Sequence, residues 1–138
     1  MINEEIYKTD INKIKQIIED ILVHSNDLIA FVCKQQNHIP SDKFDKEVTN
    51  TFDKVLEYLC WASEEAEKTL SGELETGCYL TFQVDLIWDY TEICSKWSYM
   101  LDHYLEEDYK QKLHFKFDEL KQEADELQLM NERLSETK

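Results

Sequence analysis

Apolar residues recur at alternating spacings of three and four in four separate segments of the chain. This spacing keeps one seam of a helix facing its neighbours, and side chains on such seams pack knobs-into-holes at shallow crossing angles. The sequence therefore predicts an all-α fold, an antiparallel four-helix bundle with up-down-up-down connections. The seam positions are Ile11, Ile14, Ile18, Ile21, Ser25, Leu28 and Val32; Val48, Phe52, Val55, Leu59, Ala62 and Ala66; Leu80, Val84, Ile87, Thr91, Cys94, Ser98, Leu101 and Leu105; and Leu113, Phe117, Leu120, Ala124, Leu127, Asn131 and Leu134.

The chain is short and contains few residues that interrupt helices. Its 138 residues include two Gly and one Pro, and 42% are apolar, so we expect residues 1–138 to form a single helical-bundle domain with one core. It has no run of about 18 apolar residues and no basic region followed by an apolar one at its amino terminus. These features predict a cytoplasmic protein without a membrane partner.

Proline and glycine mark two of the three expected turns. The first helix is expected over 4–35, the second from Ser41 or Asp42 to Leu70, and the third from Cys78 to at least Leu105. A shift in the phase of the seam indicates a turn within 106–112. The alternative is that helices three and four fuse, which would leave an apolar stripe to be covered by dimerisation or by exchange of the last helix.

Asn131 is a polar residue on the last seam. A polar seam residue can set the register of a coiled-coil dimer, so Asn131 is compatible with a homodimer formed through the C-terminal helix. A terminal turn in which Asn131 meets solvent is the simpler interpretation.

Negative charge is spread unevenly along the sequence. The net charge is −15, and the segments 1–36, 41–76, 77–108 and 109–138 carry −2, −6, −6 and −1. Twelve of the fifteen excess charges thus fall on the middle two segments. A field of this sign repels nucleic acid and anionic membranes, and it attracts a basic protein surface.

Aromatic residues accompany these acids. Trp61 lies about 140° from the centre of its seam, taking about 100° per residue, whereas Tyr90 falls within the wide apolar sector of helix three. Trp88 and Tyr99 lie at the edge of that sector. Exposed rings among carboxylates suit a basic partner. The alternative interpretation is that each ring is buried in the core. The predicted partner-binding surface comprises Glu57, Trp61, Glu64, Glu65, Asp85, Trp88, Asp89, Glu92 and Tyr99.

Motifs for catalysis, cofactors or metals are missing. There is no Glu-x-x-His pair for a di-iron bundle, no Gly-x-Ser-x-Gly turn and no CxxC pair among the cysteines at 33, 60, 78 and 94. His103 with Glu107 and His114 with Asp118 are four residues apart, which is more typical of exposed helix contacts than of metal ligation. His24 has no plausible partner in the sequence. We expect no enzymatic activity, no cofactor and no metal.

The sequence thus favours a non-enzymatic acidic binding protein that inhibits or neutralises a basic partner. Nucleases, toxins and nucleic-acid-guided defence effectors expose such partner surfaces, so the hypothesis covers immunity proteins, antitoxins and phage anti-defence inhibitors. The acidic face would imitate DNA, RNA or an acidic peptide, without direct binding of nucleic acid. The alternative is a helical chaperone, or a self-associating structural or adaptor protein.

Overall fold

Four long helices account for almost all of the described chain. The computed structural model describes residues 4–37, 39, 46–72 and 78–136. The helices are α1 (Glu4–Gln36), α2 (Lys46–Ser71), α3 (Cys78–Met100) and α4 (Glu107–Glu136). Each helix packs against two others, in the cycle α1–α2–α3–α4 and back to α1. The predicted all-α, up-down-up-down four-helix bundle is confirmed.

The predicted seams form the core of this bundle. All six seam residues of α2 are fully buried, and so are Ile14, Ile87 and Leu120 on the other helices. Ile11 and Leu105 are partly buried against the same cluster. The seven-residue repeat therefore identified the inward face of every helix, because a helix in a bundle must direct one stripe toward its neighbours.

The polar end of the last seam is buried rather than exposed. Asn131 is only 4% exposed, so the interpretation of a terminal turn that opens Asn131 to solvent is wrong. Asp10 is also buried at this end of the bundle, and its Oδ2 lies 3.3 Å from Nε of Arg133. The start of α1 thus packs against the end of α4, which covers the seam there. The Leu134 side chain lies outside the described residues.

The connection between α3 and α4 lies earlier than predicted. Helix α3 ends at Met100 instead of reaching at least Leu105, a 3₁₀ turn follows over Leu101–His103, and α4 begins at Glu107. The predicted turn at 106–112 is therefore wrong in position, and fusion of helices three and four is excluded. Tyr104 N–H donates to the carbonyl of Leu101 at 2.9 Å, and this bond closes the turn without glycine or proline.

The other boundaries are close to those predicted. Helix α1 ends at Gln36, α2 ends at Ser71, and α3 begins at Cys78 as expected. The predicted start of the second helix at Ser41 or Asp42 lies outside the described residues. Within the described part of the chain, none of the helices is both long and apolar enough to cross a bilayer.

Candidate partner-binding site

A cluster of three aromatic rings lies across the outer edge of α2 and α3. Trp61 is 39% exposed on the outer side of α2, as the helical-wheel position predicts. Its ring centroid is 5.1 Å from that of Tyr58, with the planes nearly perpendicular, and 5.6 Å from that of Tyr90 on α3. Tyr58 and Tyr90 are 6.3 Å apart. Each ring thus restrains the others, in the edge-to-face and tilted geometries that aromatic pairs prefer.

An open cleft of about 250 Å³ borders this cluster, which we call the α2–α3 cleft; its lining residues are Trp61, Glu64, Glu65, Lys68 and Tyr90. Glu64 and Lys68 also line a larger surface depression toward the end of α2. Pockets for small molecules usually have about 300–1,000 Å³. The α2–α3 cleft is smaller and open to solvent, so its dimensions suit a single protruding side chain.

Two carboxylates of the α2–α3 cleft remain available for a partner. Glu57, next to the cleft, pairs with Lys54 at 3.6 Å. In the described part of the chain, no basic side chain lies within 4 Å of a carboxylate oxygen of Glu64 or Glu65. The two rings therefore form an apolar wall, and the rim carries the two carboxylates against the single ammonium group of Lys68, which leaves it net negative.

The candidates on α3 lie mostly on its opposite flank. The Trp88 indole N–H donates to Asp125 at 2.9 Å, and Glu92 lies 3.5 Å from the ammonium of Lys121. The Gln128 amide donates to Asp85 at 3.0 Å. Asp85, Trp88 and Glu92 thus hold α3 against α4.

Asp89 and Tyr99 complete the predicted set. Asp89 is exposed, and Tyr99 is 52% exposed with its ring centroid 5.1 Å from that of His114 on α4. The expectation that all nine candidates share one strip is therefore wrong. Helix α3 separates a surface shared with α2, which contains Trp61, from one shared with α4, which contains Trp88.

The net charges of the four helices alone are closer to one another than those of the sequence segments. Helices α1 to α4 carry net charges of −2, −3, −2 and −4. These values differ from those of the sequence segments because Glu107 and Asp108 belong to α4, Asp102 and Glu106 lie in the turn before it, and residues 41–45 and 73–77 are outside the described residues and are not counted. The site is therefore defined by the local arrangement of Glu64 and Glu65 around the rings.

Tyr58 and Tyr90 are site residues that sequence reasoning missed. Tyr90 was expected in the apolar sector of helix three, and that sector does turn toward α2. Tyr90 lies beside Trp61, because the register between α2 and α3 brings these two rings together. The sequence does show aromatic residues on the flanks of the seams of α2 and α3. It could not predict that they meet, because the seven-residue repeat does not specify the register between the two helices.

Two histidines pair with carboxylates outside their own helix. His114 Nε2 lies 2.8 and 2.9 Å from the two carboxylate oxygens of Asp102, instead of pairing with Asp118. His24 on α1 lies between Glu119 and Glu123 of α4. Among the described residues, these last three form one group whose ligand atoms are close enough to hold a metal ion. The sequence offered no partner for His24, because its partners are 95 and 99 residues away.

Neither a family model, nor a curated protein, nor a solved structure matches this chain.

Proposed function

We propose that the protein binds a basic protein partner through the α2–α3 cleft and thereby neutralises it. One observation carries this proposal: half-exposed aromatic rings adjoin two carboxylates that have no basic partner among the described residues. Trp61 and Tyr90 form the apolar part of the cleft, and Glu64 and Glu65 form its acidic part.

This combination suits a lysine or arginine side chain. A cation over a Trp or Tyr ring gains about 0.5–2 kcal/mol, depending on how far it is removed from water. Carboxylates beside the rings add charge-assisted hydrogen bonds to the ammonium or guanidinium group. Trp, Tyr and Arg are also the residues most enriched among the energetically dominant positions of protein interfaces.

The bundle holds the α2–α3 cleft rigidly. Leu59 on α2 and Ile87 on α3 are fully buried in the core of the bundle, and the three rings at the cleft pack on one another. A site on two packed helices loses little conformational freedom when a partner binds, which favours affinity. The net charge of −15 would accelerate the encounter with a basic surface.

The partners that fit best are nucleases, toxins and nucleic-acid-guided effectors. Their functional grooves expose Lys and Arg to hold phosphates, so an acidic protein seated there would block the nucleic acid. The proposed activity is thus inhibition by occupation, as an immunity protein, antitoxin or anti-defence inhibitor would act, without chemistry on the partner.

A panel of purified nucleases and toxins with basic surfaces tests the proposal. Cleavage of a labelled nucleic acid is measured with increasing amounts of the protein, at several salt concentrations. For a partner inhibited by the wild type, we expect Trp61→Ala and the double change Glu64→Lys with Glu65→Lys to weaken inhibition at least tenfold. We also expect inhibition to fall as salt rises.

Two variants on other faces serve as controls. Glu126→Lys reverses a charge on the exposed face of α4, and Trp88→Phe removes the indole that contacts Asp125. Both should retain inhibition if the α2–α3 cleft is the site. Equal losses from Glu126→Lys and from the Glu64 and Glu65 reversals would show that only total charge matters. Full inhibition by Trp61→Ala would exclude the cleft.

A further inference from the structure

The contact between α1 and α4 contains a histidine enclosed by two carboxylates. The imidazole of His24 has Glu119 Oε1 at 3.3 Å from Nε2 and Glu123 Oε1 in contact with Nδ1. His24 comes from one helix and both glutamates from the other, where they are one turn apart. One potential ligand atom from each residue lies within 4.8 Å of the others.

A neighbouring ion pair holds the two helices in this register. Lys116 Nζ lies 2.6 Å from Asp27 Oδ2, and it lies over the ring of Phe31 at 5.5 Å from the centroid. Because α1 and α4 are antiparallel, three residues back along α1 from Asp27 lead to His24, and three residues forward from Lys116 lead to Glu119. The cluster is thus built on two packed helices, which favours a defined geometry.

The group carries more negative charge than its described surroundings balance. Glu123 is 16% exposed, and its Oε2 is buried without a hydrogen-bond partner among the described residues. Burial raises the pKa of Glu123, and the charges of Asp20 and Glu119 add to that effect while His24 opposes it. No described lysine or arginine pairs with Glu119 or Glu123. A buried carboxylate oxygen without a partner is costly, and a bound cation would satisfy it.

We propose that His24, Glu119 and Glu123 form a binding site for a divalent transition-metal ion of the Zn²⁺ type. In the described arrangement the imidazole faces a carboxylate on each side, and a metal ion would require the side chains to turn so that one ring nitrogen and both carboxylates face it. One ligand atom from each of the three residues lies within 4.8 Å of the others, so a single ion could contact one ring nitrogen and one carboxylate oxygen of each glutamate.

The donor set selects among metals. One imidazole nitrogen with carboxylate oxygens suits Zn²⁺ and Co²⁺, whereas Ca²⁺ and Mg²⁺ prefer ligands that are all oxygen. His24 and Glu119 are 34% and 44% exposed, so solvent can reach the site and complete the coordination. The ion would connect α1 to α4, on a different face of the bundle from the α2–α3 cleft. This inference is therefore independent of the proposed function.

Titration of the full chain, free of any affinity tag, with ZnCl₂ and with CoCl₂ tests the site. We expect one Zn²⁺ per chain, a Co²⁺ visible absorption band and a rise in melting temperature with added Zn²⁺. His24→Gln and Glu123→Gln should weaken Zn²⁺ binding at least tenfold and abolish the band. His114→Gln is the matched control, because it removes a histidine that faces the single carboxylate group of Asp102, and it should bind as the wild type does.

Circular dichroism in the presence of EDTA establishes that each variant is folded, and Glu119→Gln provides a third variant at a more exposed position. Equal Zn²⁺ binding by wild type and His24→Gln would overturn the proposal, because it would reduce the binding to adventitious contacts with an acidic surface. Absence of stoichiometric binding by the wild type would overturn it as well, leaving His24 as an ion-pair partner alone.

Discussion

At the scale of the residue, burial decides what a leucine on α4 contributes to stability. Leu127 is fully buried, whereas Leu129, two positions along the same helix, is 66% exposed. We expect Leu127→Ala to lower the free energy of unfolding by about 2–5 kcal/mol, because it removes buried methyl groups and leaves a cavity. Leu129→Ala should change it by less than about 0.5 kcal/mol. Urea denaturation of both variants measures the difference, and equal losses would contradict the packing of α4.

The cysteines at 33, 60 and 94 should differ in reactivity because they differ in burial. Burial raises the pKa of Cys94 to about 12, so almost none of it is thiolate at pH 8. Burial, and then the nearby charges of Glu64 and Cys33, raise the pKa of Cys60, while Cys33 itself is exposed. We expect iodoacetamide to modify Cys33 first, Cys60 more slowly and Cys94 only after unfolding. Peptide mass spectrometry measures each rate separately, and rapid modification of Cys94 in the folded protein would contradict its placement.

At the scale of the element, the start of α4 has a cap that can be improved. The carbonyl of Glu106 accepts the N–H of Lys110 at 3.0 Å, which places Glu106 at the N-cap position. Aspartate is among the best N-cap residues, and it keeps the negative charge that the helix dipole favours there. Glu106→Asp should therefore raise the free energy of unfolding by about 0.5–1 kcal/mol.

The matched control for this change is Glu107→Asp, one position inside the helix. Its side chain is not at the cap, so the change in stability should stay below about 0.5 kcal/mol. The midpoints of urea unfolding at a constant slope compare the two variants. Equal midpoints would show that Glu106 does not cap α4 and that the helix begins elsewhere.

At the scale of the whole molecule, each helix finds its neighbours within one chain. Leu113, Leu120 and Leu127 of α4 are buried in the common core, so the described part of this seam leaves no long apolar stripe for a second chain. We therefore expect a monomer of 16.5 kDa in size-exclusion chromatography with light scattering. The exposed apolar residues Phe115 and Leu129 are 14 positions apart on α4, about 21 Å along the helix. Such isolated residues are normal on a monomer.

A species of twice the expected mass would contradict this prediction. If it also dissociated in the double variant Phe115→Ser with Leu129→Ser, the outer face of α4 would be the interface, and a self-associating or chaperone-like role would gain support. Dissociation upon charging Leu127 would not be informative, because that residue supports the core of each chain.

Much of the fold was predictable because a repeating pattern reports directly on the face of a helix. The seams predicted the buried positions of all four helices, down to Thr91 and Ser98 on α3. The end of α3 was not predictable, because the turn at 101–106 contains neither Gly nor Pro. It depends instead on packing of Leu101 and on the contact between Asp102 and His114.

The sequence by itself determined that the chain forms a helical bundle and which face of each helix is buried, since both follow from spacing along one chain. Tertiary structure alone decided which residues meet across helices. It brought Tyr90 to Trp61, turned Trp88 toward Asp125 and placed His24 between Glu119 and Glu123. The physical reason is that a seven-residue repeat specifies the rotation of each helix but not its neighbours or its register. Which side chains meet on the surface of this protein depends on which helices are neighbours and on the register between them.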